Sequence, residues 1–349
     1  MAGHYHQEFC QRLTGDVVIP KILSLIPKIY FKDPGTLATL EAFKDNLGFC
    51  TDYELSSIIA AARDTLCLLC PAPYPQITKE IINSLPKLKM IQSAGAGYNK
   101  IDIEAAAKAG IPVCNAPGLN TEAVAELVLA VIINLQRGLA YADRKIKEGL
   151  YQEVRGELLA RGMEEMNNTK WGIIGLGQIG TLIAALGKQM GVEVSYYNRT
   201  RKYEVEERLG INYQHFETVL KSNDAIIISL AYAPETAKLI STSEIKMMKK
   251  NAIIVNVGRG GIIDEDALAE ALLNERIGGA ALDTYEIEPL PDGHPLLKMP
   301  EKLKDRIFLT PHLAGVTVQS LNRMLSFSLE NCARVLKGEK PLAVVNGVE

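Results

Sequence analysis

The chain of 349 residues is long enough for two domains, and its 47% hydrophobic and 23% charged residues favour packed cores over wholesale disorder. A net charge of −3, without a long run of one sign, gives no reason to expect a nucleic-acid surface or a polybasic membrane anchor. No segment supplies the ~20 apolar residues of a membrane span. The N-terminus lacks the pattern of a secretory signal, so we expect a cytoplasmic protein without membrane or nucleic-acid partners.

From about residue 61 the sequence alternates short apolar runs with helical patterns, which is typical of βαβ units and a parallel sheet. The first series contains three predicted strands and two predicted helices. The strands are Leu66–Cys70, Leu88–Ser93 and Pro112–Asn115, and the helices are Ile77–Leu85 and Ile103–Ala109. The first sixty residues show no comparable pattern, and we assign no elements there.

A long apolar helix is predicted at Thr121–Gly138, with Thr121 as its N-cap, followed by a helix at Leu139–Glu148. The polar segment Tyr151–Thr169 is interpreted as an irregular connection. A second βαβ series then begins. Its predicted strands are Trp171–Ile174, Glu193–Tyr197, Ala225–Leu230, Ala252–Val257, Gly279–Asp283 and Ile307–Leu309. Its predicted helices are Ile179–Met190, Val205–Leu209, Glu217–Leu220, Ser243–Met248 and Glu265–Asn274, and a final helix covers Val318–Leu336.

The six cysteines are scattered through the chain, mostly in apolar runs, and we interpret them as buried free thiols. They are Cys10, Cys50, Cys67, Cys70, Cys114 and Cys332. Cys67 and Cys70 form a C-x-x-C, but residues three apart on a strand point to opposite faces. No second Cys/His pair follows at zinc spacing, so we predict neither a redox pair nor a metal site.

A glycine motif supplies the first functional signal. The segment Gly175-Leu176-Gly177-Gln178-Ile179-Gly180 is G-x-G-x-x-G, placed between a predicted strand and a predicted helix, as in dinucleotide-binding folds. Gly175 permits the tight turn, Gly177 lets the backbone approach a pyrophosphate, and Gly180 lets helix and strand pack closely. The helix N-terminus then favours the bound anion. The alternative is a tight turn that binds nothing.

The next strand predicts the choice of cofactor. NAD enzymes usually carry an acidic residue near its end, about 20 residues beyond the glycine motif, which accepts the ribose hydroxyls. Here that position is Asn198, within Asn198-Arg199-Thr200-Arg201. A neutral residue followed by two guanidinium groups would attract a 2′-phosphate, so we predict NADP rather than NAD. The alternative is NAD held through backbone contacts, with both arginines in solvent.

Three further residues follow predicted strands of the second series. Arg259 lies among glycines after one strand, where a guanidinium can grip a carboxylate with two hydrogen bonds. His312 follows the last strand and can exchange a proton near neutral pH. Glu288 follows the strand before it and could fix the tautomer of an adjacent imidazole. Separately, each has a structural interpretation, namely a helix-capping arginine, a loop glutamate and a buried histidine. Their order in one series favours a catalytic set.

These residues and their surroundings resemble the D-isomer-specific 2-hydroxyacid dehydrogenase family, over nearly the whole chain from about Leu66. The resemblance is carried by several segments in addition to the glycine motif. They are Gly95–Asp102, Asn115–Glu126, Asn256–Glu265, Ala281–Asp283 with Glu288-Pro289, and Pro311–Gly315. The first sixty residues match the family poorly.

The resemblance implies an α/β architecture of two doubly wound parallel-sheet domains. A flavodoxin-like substrate domain would comprise 1–118 and 315–349, and a Rossmann cofactor domain would comprise 119–314. It also implies a homodimer joined by the long helices near Thr121–Ala142. The implied substrate is a small 2-oxo or 2-hydroxy acid of the D series, such as glyoxylate or hydroxypyruvate. Which acid is used, and in which direction, stays open because pocket shape decides.

The family also implies roles for individual residues. Arg259, Glu288 and His312 would be catalytic, and Arg259 would bind the substrate with backbone N–H groups around Ala96 and Gly97. Asp283 would hold the nicotinamide amide. The implied cofactor site includes Gly175, Gly177, Gln178, Ile179, Gly180, Asn198, Arg199, Thr200, Arg201, Val257, Asp283 and His312. Tyr74 is a candidate selectivity residue in a loop expected at the mouth of the substrate site.

Three alternatives share part of this pattern. Formate dehydrogenases share the fold, but they carry Gln at the position of Glu288. Corepressors of the C-terminal-binding-protein type share the three residues without needing catalysis, although no extended disordered tail is evident here. Short-chain dehydrogenases are suggested by Tyr141-x-x-x-Lys145, but in that class the tyrosine follows the glycine motif, whereas here it precedes it.

Overall fold

The computed structural model describes residues 21–72 and 75–348, so the predictions for Cys10 and Tyr74 lie outside the described residues. The chain divides into two compact units. The first unit comprises Met1–Pro117 and Asn322–Glu349, and the second comprises Gly118–Leu321.

The first unit is built on a five-stranded parallel sheet with the order β2-β1-β3-β4-β5. Its strands are β1 (Ile22–Ser24), β2 (Leu47–Phe49), β3 (Cys67–Cys70), β4 (Met90–Ser93) and β5 (Val113–Cys114). Its helices are α1 (Pro34–Phe43), α2 (Leu55–Ala62), α3 (Lys79–Asn83) and α4 (Ile103–Lys108). This strand order is that of flavodoxin-like folds, which confirms the predicted fold class for this sheet.

The buried cysteines show how this sheet alternates. All four side chains of β3 are buried, but Cys70 packs beside Leu68 in one core cluster, and Cys67 lies in another with Cys114 and Cys332. The two sulfurs of the C-x-x-C therefore lie on opposite faces of the sheet, as predicted. All five cysteines in the described residues are buried and free, which confirms that prediction for them.

The second unit contains a seven-stranded parallel sheet with the order β12-β11-β10-β9-β6-β7-β8, the Rossmann arrangement with an added strand beyond β11. Its strands are β6 (Lys170–Ile174), β7 (Glu193–Tyr197), β8 (Asn212–Tyr213), β9 (Ala225–Ile228), β10 (Ile253–Asn256), β11 (Gly279–Leu282) and β12 (Ile307–Leu309). Its helices are α5 (Thr121–Arg137), α6 (Leu139–Lys147), α7 (Tyr151–Arg161), α8 (Gln178–Gln189), α9 (Tyr203–Leu209), α10 (Phe216–Ser222), α11 (Thr242–Met247), α12 (Glu265–Leu273) and α13 (Glu301–Lys304).

The last helix, α14 (Val318–Leu336), returns the chain to the first unit. Its buried residues Leu325, Leu329 and Cys332 lie in the core cluster that contains Cys67. The C-terminal end of the chain thus completes one face of the first sheet.

Two local predictions were wrong. The segment interpreted as irregular contains α7, whose only buried residue is Val154, so its sequence carries no apolar helical period. Thr121 is not the N-cap of α5. Asn120 holds that position, and the Thr121 hydroxyl in the first turn donates a hydrogen bond to the carbonyl of Gly118. Gly138 does end α5, in the left-handed conformation with a φ of 65°.

Within the described part of the chain, no single helix has both the length and the apolar composition needed to cross a membrane. Helices α5 and α6 satisfy those criteria only when taken together, as a pair bent by 60°.

Candidate active site

The three predicted catalytic residues follow three neighbouring strands of the second sheet. Arg259 follows β10, Glu288 lies beyond β11, and His312 follows β12, and these strands pair side by side in parallel. The carboxyl ends of parallel strands share one edge of the sheet, which is where ligands bind in open α/β folds. The topology therefore brings the three segments to one edge.

His312 and Glu288 are in direct contact. The imidazole Nδ1 lies 2.9 Å from Oε2 of Glu288, and the two side chains are 27% and 16% exposed. The other carboxylate oxygen of Glu288 accepts a hydrogen bond of 3.0 Å from the backbone N–H of Tyr285. The carboxylate is thus fixed by its own turn, and it occupies one of the two imidazole nitrogens. Nε2 is the nitrogen left to face a substrate.

Asp283 fixes the turn that carries His312. One oxygen of this buried carboxylate accepts hydrogen bonds from the Thr310 hydroxyl at 2.6 Å and the Leu313 N–H at 2.8 Å. The other oxygen accepts from the N–H of Ala314 at 3.0 Å. His312 itself has a φ of 54°, a conformation that is costly for a residue with a side chain and needs such support.

The family resemblance assigned Asp283 to the cofactor and did not reveal this supporting role. A buried Asp in a strand-end motif gives no signal of which neighbours it will bind, because its partners lie almost thirty residues further along the chain.

Tyr285 packs beneath this arrangement. Burial is the main cause that raises the pKa of the Tyr285 hydroxyl. The negative charges of the nearby carboxylates of Asp283, Glu265 and Glu288 raise it further. The neutral hydroxyl contacts the backbone carbonyls of Leu282 and Thr310, at 3.0 Å each. The tyrosine thereby joins the ends of β11 and β12.

The loop of Arg259 packs closely against the turn of Glu288. The Arg259 carbonyl accepts a hydrogen bond from the Asn256 amide, and the guanidinium donates one to the carbonyl of Gly258. A Cβ on Gly260 would lie 1.8 Å from the carbonyl oxygen of Tyr285, so only glycine permits this approach. The Arg259 loop and the Glu288 turn therefore pack against each other through their backbones.

The glycine motif has the geometry predicted for it. Gly175 has a φ of 100°, and a Cβ on Gly180 would lie 2.2 Å from the Gly175 carbonyl oxygen. A Cβ on Gly177 would meet nothing within 4 Å, and Gly177 and Gln178 are exposed. α8 begins at Gln178, and Ile179 lies partly buried in its first turn. An open backbone turn at a helix N-terminus fits a dinucleotide pyrophosphate.

The predicted 2′-phosphate segment joins the glycine turn through Asn198. Its amide accepts a hydrogen bond from Leu176 N–H and donates one to the carbonyl of Thr200. Arg201 forms a bidentate ion pair with Glu206, at 2.8 and 2.7 Å, and its hydrogen bonds lower the pKa of the Glu206 carboxyl. Arg199 is exposed, and the described residues offer it no hydrogen-bond or ion-pair partner.

The remaining predicted residues lie elsewhere. Val257 is buried directly after β10. Ala96 and Gly97 follow β4 in the first unit, and their carbonyl groups accept hydrogen bonds from the Asn115 amide and the Ser93 hydroxyl. These bonds fix the direction of the loop. No group of three or more metal-ligating side chains is arranged to hold a metal ion within residues 21–72 and 75–348.

Comparison with known proteins agrees with this geometry. Residues 129–314 match the family model described as D-isomer specific 2-hydroxyacid dehydrogenase, NAD binding domain. The glyoxylate reductase of Aeropyrum pernix is 37% identical over 330 residues, covering 90% of this chain and 96% of that protein.

Two solved structures are similar over most of their length. A protein of Thermus thermophilus gives a TM-score of 0.81 at 28% identity, over 93% of this chain and 99% of that one. D-lactate dehydrogenase of Aquifex aeolicus, in complex with NAD and lactic acid, gives a TM-score of 0.79 at 25% identity, over 91% of this chain and 96% of that one. The chain belongs to the D-isomer-specific 2-hydroxyacid dehydrogenase family, as the resemblance indicated, and is a dehydrogenase that uses a nicotinamide dinucleotide.

Proposed function

We propose that this enzyme reduces a small 2-oxo acid, such as glyoxylate or hydroxypyruvate, to the D-2-hydroxy acid with NADPH. The observation that carries the proposal is the contact of 2.9 Å between His312 Nδ1 and Glu288, at the strand edge shared with Arg259. A carboxylate-supported imidazole suits proton transfer to a carbonyl oxygen. Formate oxidation needs no such transfer, and the carboxylate of Glu288 therefore argues against that alternative.

When bound, the reduced nicotinamide would supply the hydride that the carbonyl carbon receives, and the residues of the chain would stabilise the charge that develops. Arg259 grips the substrate carboxylate and stabilises the negative charge on the carbonyl oxygen. His312 gives its Nε2 proton to that oxygen, while Glu288 holds the ring and stabilises its charged form. Asp283 keeps the His312 turn in place through three hydrogen bonds, and we assign it the nicotinamide amide as well.

The glycine turn would hold the cofactor pyrophosphate against the N-terminus of α8. For the 2′-phosphate we assign the main role to Arg199, because the charge of Arg201 is already matched by Glu206. The absence of an acidic side chain at Asn198 removes the group that would repel this phosphate. These features support NADP over NAD.

Paired kinetics test this choice of cofactor. Arg199→Ala should raise the KM for NADPH by about tenfold, the effect of losing one charged hydrogen-bond donor, and leave the KM for NADH unchanged. Arg201→Ala should change the NADPH value less. Preference of the wild-type enzyme for NADH would contradict the assignment.

The wider organisation follows the same family pattern. We propose that the second unit binds the cofactor and that the first contributes the substrate loop at Ala96 and Gly97. We also propose a homodimer formed through α5 and α6, which light scattering of the purified protein would test. The free thiols of the described residues suit the reducing conditions of the cytoplasm.

Turnover assays with a panel of 2-oxo acids test the function. Each acid is offered with NADPH and then with NADH, and the reaction is monitored by the loss of nicotinamide absorbance. We expect turnover with small acids such as glyoxylate. Tight cofactor binding without turnover of any acid would favour the corepressor-like alternative.

A further inference from the structure

A second carboxylate–imidazole pair lies beside the catalytic turn. Glu265, the first residue of α12, and His294 are both largely buried, with side chains 7% and 11% exposed. Their closest atoms, Glu265 Oε2 and His294 Nε2, are 2.8 Å apart. Neither the glycine motif nor the three catalytic residues account for this pair.

Two hydrogen bonds determine which nitrogen of the His294 imidazole carries the proton. His294 Nδ1 accepts a hydrogen bond of 3.3 Å from the backbone N–H of Leu296. Because Nδ1 is an acceptor, the ring proton lies on Nε2 and is donated to Glu265. The ring is therefore held at both nitrogens.

Glu265 connects this ring to the catalytic turn. Its second oxygen, Oε1, accepts a hydrogen bond of 2.8 Å from the backbone N–H of Glu286. Glu286 lies between Tyr285, whose N–H holds the Glu288 carboxylate, and Glu288 itself. One side chain thus anchors the backbone of the turn that presents Glu288 to His312.

The same carboxylate also links that turn to the Arg259 segment. α12 follows the Arg259 loop after only a few residues, and Gly260 of that loop packs on the Tyr285 carbonyl. Burial raises the pKa of Glu265, because a charged carboxylate is costly in a buried position and needs hydrogen-bonding partners there.

We propose that Glu265 and His294 act as positioning residues, which hold the 285–288 turn so that the Glu288 carboxylate meets His312 Nδ1. The role rests on the proposed function of the His312–Glu288 pair. Neither residue touches the reacting groups directly, so each acts through the orientation of Glu288.

His294→Leu removes both ring hydrogen bonds, and Glu265→Gln keeps the size but weakens the anchor. Each should lower kcat by about tenfold, in the range typical for loss of a supporting hydrogen bond, with little change in the KM for NADPH. His294→Gln places an amide donor near the position of Nε2 and should recover most of the loss.

A measurement on the cofactor-free protein separates positioning from a merely structural role. In ¹⁵N-labelled protein, we expect His312 to show a proton on Nδ1 that is hydrogen-bonded to Glu288 and slow to exchange. His294→Leu and Glu265→Gln should speed its exchange or abolish the signal. Ile58→Ala, a core change in α2 within a cluster that contains no residue of the 285–288 turn, is the stability control and should leave both kcat and the signal unchanged.

A folded His294→Leu protein with wild-type kcat and an unchanged His312 signal would overturn the proposal. So would losses no greater than those in the stability control. If His294→Leu fails to fold, the gentler Glu265→Gln decides by the same two readouts. If the wild-type protein reduces no 2-oxo acid, the proposed function fails, and the His312 signal still decides whether the pair positions Glu288.

Discussion

At the scale of single residues, the contact between His312 and Glu288 joins two groups that follow different strands of the second sheet. That the segments of His312, Glu288 and Arg259 reach one edge of the sheet was predictable because each follows a strand of one parallel series. What holds them was not predictable, since the partners of Asp283 and Glu265 lie more than twenty residues away in sequence. Arg201 shows the same limit: its charge suggested a phosphate ligand, and its ion pair with Glu206 was not evident from the sequence.

Glu288→Gln tests the charge of the proposed catalytic pair, His312 and Glu288. The amide preserves the size of the side chain and one acceptor, but it removes the negative charge that stabilises a protonated imidazole. We expect kcat for glyoxylate reduction to fall by about 10–100-fold. The affinity for NADPH, measured by fluorescence titration, should stay the same and serves as the control. Unchanged turnover would show that hydrogen bonding alone suffices.

The buried thiols predict an alkaline loss of stability. Burial raises the pKa of Cys70 and Cys114 to about 12, whereas the ordinary value for a thiol in water is 9.0. The pKa of each thiol is higher in the folded protein than in the unfolded chain. The contribution of the thiols to the free energy of unfolding is therefore complete below pH 9, and it is lost as the pH rises from 9 towards 12 because the unfolded chain releases the thiol protons first. The loss is about 1.4 kcal/mol per thiol for each pH unit.

Urea unfolding at about pH 8 and about pH 10, on either side of the ordinary thiol pKa, measures this effect. The free energy of unfolding should fall between the two values, and it should fall less in Cys70→Ala, which retains no thiol at that position. Comparing the slopes of unfolding free energy against pH in the two proteins removes the constant cost of the cavity that Cys70→Ala leaves. Equal slopes in the two proteins would argue against the raised pKa.

At the scale of elements, the periodicity of apolar residues located most helices and strands. Segments that are short or uniformly polar show no such period and were not predicted. β1 and β8 contain three and two residues, too few to show an alternation. α7 has a single buried residue and so lacks an apolar stripe. The glycine motif was recognisable in the sequence because each glycine meets a separate steric requirement of the strand–turn–helix unit.

Alanine substitutions distinguish those demands. Gly180→Ala forces a Cβ to within 2.2 Å of the Gly175 carbonyl oxygen, so α8 must move from β6, with a stability cost of about 1–3 kcal/mol. Gly177→Ala meets no atom within 4 Å and should leave thermal stability unchanged while weakening NADPH binding. Thermal melts and cofactor titrations check both. Gly156→Ala in α7, where the added methyl also has open space, is the matched control. Equal stability of the Gly180 and Gly177 variants would contradict this account.

At the scale of the whole molecule, alternating strands and helices were sufficient to predict two parallel-sheet units, and the strand orders agree with flavodoxin-like and Rossmann folds. The return of α14 to the first unit could not be derived from its pattern, because an amphipathic helix does not specify which sheet it covers. The family resemblance supplied that expectation. Substrate choice is a property of pocket shape and lay beyond the sequence.

The most direct test of the account is the turnover of His312→Ala with glyoxylate and NADPH, measured beside NADPH binding by the same protein. We predict that kcat falls by about 10²–10⁴-fold because the proton donor is gone, while the affinity for NADPH changes little. A folded His312→Ala enzyme that binds NADPH and reduces glyoxylate at the wild-type rate would contradict the assignment of the proton donor.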